Sequence, residues 1–180
     1  MYTWPVRSLI GFSLALVLLV SAGSASAKDP AAELKLNRPK PVQAAKEFDL
    51  ATPEGGRLKL SDFKGKVVFL NFWATWCKPC EEEMPAMQQL HDRYKERGLV
   101  VLAVSADAEG ASIVKPFIKK HHLTFPVGLD PRTTVAALYG VWALPQTFII
   151  DRKGDRVLYA NGPREWDGKV AQALFESMLK

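Results

Sequence analysis

The two residues with the most distinctive chemistry are Cys77 and Cys80, which are the only cysteines in the 180-residue chain. A disulfide across two intervening residues closes so short a loop that it removes little entropy from the unfolded chain, so it stabilises a fold poorly. A thiol pair at this spacing can instead cycle between dithiol and disulfide by exchange with other thiols. We interpret the pair as a redox site in which the Cys77–Cys80 disulfide takes the place of a bound cofactor.

Metal binding is the main alternative for a C-x-x-C pair. A structural zinc site usually has four Cys or His ligands, whereas this chain has no second cysteine pair and only three histidines, His91, His121 and His122. We therefore predict no metal site. Two thiolates can also hold a soft ion such as Cu(I), so a copper-binding thiol chaperone stays as the alternative function.

The predicted elements around the pair place Cys77 at a junction between a strand and a helix. An almost continuous apolar run over 66–73 predicts a strand buried on both faces, and apolar residues three or four apart predict a helix over 81–97. The unpaired N–H groups and the dipole at a helix start stabilise an anion, and the thiolate is the reactive form of cysteine. We expect Cys77 to be the reactive thiol and Cys80 to lie deeper.

The rest of the pattern predicts an α/β fold with a mixed β-sheet. The alternation of extended and helical segments gives a strand–helix–strand unit, a further crossover, a hairpin and a last helix. The predicted segments are a hairpin over 48–60, a strand over 99–106, a helix over 111–122, an extended piece over 125–129, a helix over 133–139, a hairpin over 147–160 and a helix over 164–179.

The N-terminus is typical of a secretory signal peptide. Arg7 precedes an apolar run over 9–22, and Ala25-Ser26-Ala27 forms a small-residue cleavage site. We predict a signal peptide over 1–27, with an uncleaved membrane anchor as the alternative. A polar, proline-containing stretch over 28–45 is interpreted as a spacer before a domain at 46–180.

The charge pattern argues against a nucleic-acid partner. Without residues 1–27 the chain has 23 basic and 19 acidic side chains, a net charge of +4, and it contains no long basic block. The densest basic run, over 119–122, is interpreted as a solvated helix end. The length suits one domain with a single core, and an accessible C-x-x-C fits a monomer.

Two segments resemble the TlpA-like branch of the thioredoxin superfamily. The first is FWATWCKPC at 72–80, followed by Glu83-Met84-Pro85, and the second is YGVWALPQTFIID at 139–151. The resemblance covers about residues 45–178. It implies a thioredoxin-like fold, with a central mixed β-sheet flanked by helices, and the activity of an exported, often membrane-tethered thiol–disulfide oxidoreductase.

The resemblance also implies roles for individual residues. Cys77 corresponds to the attacking cysteine and Cys80 to the resolving one. Pro145 corresponds to a proline that follows a cis peptide bond and shapes the substrate groove beside the cysteines, with Leu144 and Trp76 flanking that groove.

One position departs from ordinary cytosolic thioredoxin. That protein has a buried aspartate six residues before its first cysteine, which assists proton transfer to the resolving thiol, whereas this chain has Asn71. Glu83, one helical turn after Cys80, is the candidate replacement base. Lys78 adds a positive charge that favours a thiolate, and the acidic residues 81–83 act in the opposite direction.

The sequence thus predicts a periplasmic enzyme that exchanges disulfides with exported proteins. Within the family the resemblance favours a reductant, for example of apocytochrome c or of copper-site cysteines. Such an enzyme needs an electron-donating thiol protein, membrane-bound or soluble, as a second partner. A peroxidase on the same fold needs a polar pocket around one thiol, which the Trp-Cys-Lys-Pro-Cys setting does not supply.

Overall fold

The computed structural model describes residues 1–2 and 28–180, so the predicted signal peptide lies outside the described residues. The strands are β1 (Gln43–Ala44), β2 (Asp49–Ala51), β3 (Arg57–Lys59), β4 (Val67–Trp73), β5 (Leu99–Ser105), β6 (Val127–Leu129), β7 (Gln146–Ile150) and β8 (Asp155–Asn161). The helices are α1 (Pro30–Glu33), α2 (Lys78–Tyr94), α3 (Ala111–Lys120), α4 (Thr134–Tyr139) and α5 (Lys169–Met178), with 3₁₀ turns at Leu60–Phe63 and Lys95–Arg97. In this part of the chain, none of the helices has the length and apolar character needed to cross a bilayer.

The strands form one mixed sheet in the order β1-β8-β7-β4-β5-β6-β2-β3. The central strand β4 is parallel to β5 and antiparallel to β7. Every residue of β4 and β5 is buried, which confirms the expectation from their continuous apolar sequences. The predicted α/β class, with a central mixed β-sheet flanked by helices, is therefore confirmed.

Two hydrophobic cores cover the two faces of the sheet because successive β4 side chains point to opposite sides. Phe69 belongs to the core formed with α1, α2, α3 and α5. Leu70 belongs to the core formed with α4 and the β2–β3 hairpin. The centre of the sheet is thus buried on both faces. The loop that follows the carboxyl end of β4 reaches the surface at Trp76.

The segment 28–45, expected to be a spacer, is instead part of the folded domain. Ala31 and Leu34 are buried in the core, and β1 pairs with β8 at the edge of the sheet. Asn37 forms an isolated bridge with Tyr159, and the guanidinium Nε of Arg164 donates to the carbonyl of Leu34 at 2.8 Å. The edge of β8 offers unpaired backbone groups, and this polar segment satisfies them.

The last helix is shorter than the predicted 164–179 and begins at Lys169. Pro163 and Gly168 bracket a turn, and Trp166 from this turn is completely buried against Phe69, with their ring centroids 4.8 Å apart. The apolar spacing of the sequence therefore identified a buried residue correctly but assigned it to the helix rather than to the loop before it.

A substitution at Gly98 tests the backbone conformation at the end of the α2 region. It adopts a left-handed conformation with φ of 97° between the 3₁₀ turn and β5. We expect Gly98→Ala to lower the free energy of unfolding by about 1–2 kcal/mol because a side chain disfavours this conformation. Gly168→Ala is the control, since φ is −67° there. Equal effects of the two changes in urea denaturation would contradict the expectation.

Candidate functional site

The cysteine pair lies at the start of α2, directly after the carboxyl end of β4. Cys77 is the N-cap residue, and its Sγ accepts a hydrogen bond from the backbone N–H of Cys80 at 3.3 Å. The two form a disulfide with their Cα atoms 5.3 Å apart. Cys77 is 6% exposed and Cys80 is 0% exposed, so Cys80 is the deeper of the two, as predicted.

A hydrogen-bond network holds the loop that precedes Cys77. The buried carboxylate of Asp107 accepts bonds from the Thr75 backbone N–H at 3.1 Å, the Thr75 hydroxyl at 2.7 Å and the Ser105 hydroxyl at 2.8 Å. Sequence reasoning missed this network. A signal existed, since Ser105 lies near the end of the strand predicted over 99–106, and polar residues at the carboxyl ends of adjacent parallel strands meet at one edge.

An open groove of about 630 Å³ lies beside Cys77. Trp76 and Leu144 both line it, as predicted, and the Leu144–Pro145 peptide bond is cis, as the resemblance implied. Trp142 also lines the groove, although sequence reasoning did not assign it to the site. Trp76 and Trp142 are 71% and 77% exposed, so two indole rings border an otherwise small-residue, apolar depression.

Lys78 and Glu81 neutralise each other at the helix start. Lys78 Nζ lies 3.1 Å from a Glu81 carboxylate oxygen, and His121 and Lys120 approach the other oxygen at 3.2 and 3.8 Å. The hydrogen bond from Lys78 is the main cause of the lowered pKa of Glu81. The positive charge that the sequence suggested for the thiolate is thus shared with a carboxylate.

Glu83 differs from the two acids before it because it is buried, with 3% exposure. Its Oε1 accepts from the Asn71 amide at 2.8 Å, and its Oε2 accepts from the Trp166 indole N–H at 3.2 Å. Burial outweighs these bonds and raises the pKa of Glu83 to about 7. A carboxyl with such a pKa can take up or release a proton near neutral pH.

Asn71 connects this carboxyl to the sheet. Its amide nitrogen also donates to the Thr147 hydroxyl at 3.1 Å, while its amide oxygen has no hydrogen-bond partner within the described chain. An amide can either donate to a carboxylate or, turned over, accept from a protonated carboxyl. Asn71 is therefore able to hold Glu83 in both protonation states.

The structure brings the predicted residues together in two groups. Cys77, Trp76, Lys78 and Leu144 line the groove, whereas Cys80, Asn71 and Glu83 are buried. Pro145, also predicted for the groove, is buried next to Leu144 and does not line it. Trp166, the second partner of Glu83, was not predicted because its contact joins residues 83 apart in sequence. Among residues 1–2 and 28–180, no group of three or more His, Cys, Asp or Glu side chains is arranged to hold a metal ion.

Comparison with known proteins gives consistent matches. The model of the AhpC/TSA family matches residues 41–156. Thiol-disulfide oxidoreductase ResA of Bacillus thuringiensis subsp. konkukian is 49% identical over 136 residues, which are 76% of this chain and 75% of that protein.

Solved structures agree with these sequence matches. A crystal structure described as a thiol:disulfide interchange protein DsbE from Chlorobium tepidum is 35% identical, with a TM-score of 0.72 over 80% of this chain and 99% of that one. A thioredoxin family thiol:disulfide interchange protein from Chlorobium tepidum TLS is 26% identical, with a TM-score of 0.67 over 77% and 97% of the two chains.

Proposed function

The chain belongs to the AhpC/TSA family and is a TlpA-like thiol–disulfide oxidoreductase of the thioredoxin superfamily, and from this premise we propose that it reduces disulfides in exported proteins. The observation that carries the proposal is the asymmetry of the cysteines. Cys77 caps α2 beside an open groove, and Cys80 is buried behind it. In this proposal Cys77 meets the partner and Cys80 releases it.

The proposed reaction starts from the dithiol form of the enzyme. The Cys77 thiolate attacks one sulfur of the partner's disulfide, whose S–S bond breaks as a mixed disulfide forms, and the partner's second sulfur leaves as a thiolate. Cys80 then attacks the Cys77 sulfur and displaces the partner. The partner gains two electrons and two protons, and the Cys77–Cys80 disulfide is left on the enzyme.

Proton transfer in the second step is assigned to Glu83. Cys80 must lose its proton before it can attack. It lies on the buried side of α2, where water does not reach it. Glu83 lies one turn further along the same buried side of the helix, and its pKa of about 7 suits a proton acceptor at neutral pH. Asn71 and Trp166 position its two oxygens.

The reducing direction is supported by the charges at the start of α2. A strongly stabilised thiolate favours the reduced enzyme and makes it an oxidant of other proteins. Here the Lys78 ammonium is paired with Glu81, so it adds little to the stabilisation that the helix start gives Cys77. This arrangement favours an enzyme that donates electrons to its partner proteins. A second thiol protein then reduces the enzyme again.

The setting we propose is the periplasm, with the segment 1–27 as the export signal or as a tether. The protein acts as a monomer, and its substrates are proteins whose disulfides must be opened, such as apocytochrome c or proteins with copper-site cysteines. The apolar character of the groove beside Cys77 suits a polypeptide segment better than a peroxide.

Trapping of mixed disulfides tests the proposal. Cys80→Ser leaves Cys77 able to attack but removes the thiol that releases the partner. We therefore expect covalent adducts with exported proteins, and dithiothreitol should cleave these adducts by reducing the mixed disulfide. Mass spectrometry of the adducts identifies the substrates. Cys77→Ser is the matched control and should trap none. Equal trapping by both variants, or adducts in neither, would contradict the proposal.

A further inference from the structure

A second cavity, of about 270 Å³, lies on the other side of the loop that carries Trp142. Its walls come from β7, β8 and the end of α4, and they include the rings of Tyr139 and Phe148. Trp142 lines both this cavity and the groove beside Cys77. The two depressions are therefore neighbours that share one indole ring.

The cavity contains a buried cation, Arg156, which is 8% exposed. Its guanidinium lies over the rings of Tyr139 and Phe148, with its carbon 5.4 and 5.6 Å from the ring centroids. One terminal nitrogen donates to the side-chain oxygen of Gln43. The Nε atom is buried and has no hydrogen-bond partner in the described part of the chain.

Arg156 also lacks a carboxylate partner. None of the ion pairs among residues 1–2 and 28–180 involves it, and the cavity lining there includes no Asp or Glu. Residues 3–27 contain no acidic side chain at all. A buried charge without a counter-charge is unfavourable, and aromatic rings compensate only part of that penalty. The fold thus keeps a buried cation without a direct carboxylate partner at a cavity large enough for a ligand.

Gln146 adds a second unsatisfied group to the same cavity. It is buried, and its side-chain oxygen has no partner within the described residues. An amide that turns over presents N–H groups instead, so Gln146 and Arg156 together can supply several donors to one anion. The guanidinium fork matches the planar pair of oxygens in a carboxylate.

We infer that this cavity is a carboxylate-binding site, formed by Arg156 and Gln146 beside the packed rings of Tyr139 and Phe148. Two sources of the carboxylate share this chemistry. One is an acidic side chain of the polypeptide held at Cys77, whose chain would pass Trp142 from the groove into the cavity, and this source rests on the proposed function. The other is a free organic acid.

The first part of the test uses benzoate, with benzamide as its uncharged counterpart, in NMR titrations of the full protein. We expect benzoate to shift the amide signals of residues 146–156 saturably, and benzamide to leave them unchanged. Arg156→Met should lose this binding, whereas Lys153→Met, which removes an exposed positive charge from the same hairpin, should retain it. If Arg156→Met does not fold, Arg156→Lys keeps the charge without the fork and should bind benzoate more weakly.

The second part compares two disulfide peptides that differ only by Glu or Gln near the cysteine. Faster exchange of the Glu peptide with the natural protein, and loss of that preference in Arg156→Met, would identify the partner as the source. Benzoate binding with no Glu preference would identify a free acid. Absence of both effects would overturn the inference.

A small disulfide without a peptide chain, hydroxyethyl disulfide, separates this inference from the proposed function. It should exchange equally with the natural protein and with Arg156→Met, because it does not reach the cavity. If it fails to exchange with either protein, the proposed function fails, and the benzoate titration still decides whether the carboxylate site exists.

Discussion

Replacement of Cys77 with Ser is expected to abolish disulfide reduction, whereas Cys80→Ser should still complete the first half of the reaction. Cys77 is the cysteine that borders the groove and caps the helix, and Cys80 has no exposed surface. We therefore expect Cys77 to be the nucleophile that meets the substrate. Stopped-flow measurement of a single turnover with a chromogenic disulfide distinguishes the two variants.

Alkylation of the reduced natural protein provides an independent check of the same asymmetry. Iodoacetamide at neutral pH should modify Cys77 well before Cys80, because the helix start favours the thiolate at the cap. Peptide mapping after short exposures gives the order directly. Equal rates, or modification of Cys80 first, would assign the two roles the other way round.

The second large effect concerns the stability of the oxidised protein as a function of pH. The unfolded chain releases the Glu83 proton near an ordinary pKa of 4.5, whereas the folded chain holds it until about 7. Between these values the native state binds more protons than the unfolded state, so the free energy of unfolding must fall as pH rises. The difference in pKa corresponds to a loss on the order of 3 kcal/mol, complete above about pH 8.

Glu83→Gln should remove this dependence because an amide does not titrate. Near pH 5 the amide can accept from the Trp166 indole and donate to a turned-over Asn71, as a protonated carboxyl does, so we expect the variant to be about as stable as the natural protein there. Near pH 8 the variant should be the more stable of the two, because only the natural protein then carries a buried negative charge. Urea denaturation at several pH values measures this divergence.

Two comparisons isolate Glu83 from other titrating groups. Glu82→Gln removes an exposed acid at the neighbouring position and should leave the natural pH dependence in place. His91 acts in the opposite direction, since burial lowers its pKa and its contribution increases as pH rises. The difference between Glu83→Gln and the natural protein cancels that contribution, and parallel stability curves would contradict a buried, protonated Glu83.

The parts of the fold that the sequence predicted are those with a strong local pattern. β4 and β5 are continuous apolar runs, and α2 has apolar residues at helical spacing, so each segment carries its own signal. The position of Cys77 at the junction followed from these two elements. The depth of Cys80 followed from the geometry of one helical turn.

The parts that the sequence did not predict depend on contacts between distant segments. Residues 28–45 are polar and carry little periodicity, and they are ordered by the edge of β8 rather than by their own preference. Trp166 reaches Glu83 only because a loop before α5 turns inward. Asp107 and Arg156 look like ordinary surface residues in the sequence, and only the folded structure shows that each is buried.

The N-cap position of Cys77 also links the redox state of the protein to its folding. Oxidised and reduced forms, each folded or unfolded, make a thermodynamic cycle whose four free energies must sum to zero. Every interaction of the folded chain that prefers the thiolate over the disulfide therefore stabilises the reduced protein by the amount that it raises the reduction potential, with about 30 mV for each 1.4 kcal/mol. The free energies of unfolding with and without the disulfide differ by an amount that gives the reduction potential of the folded enzyme relative to that of its unfolded chain.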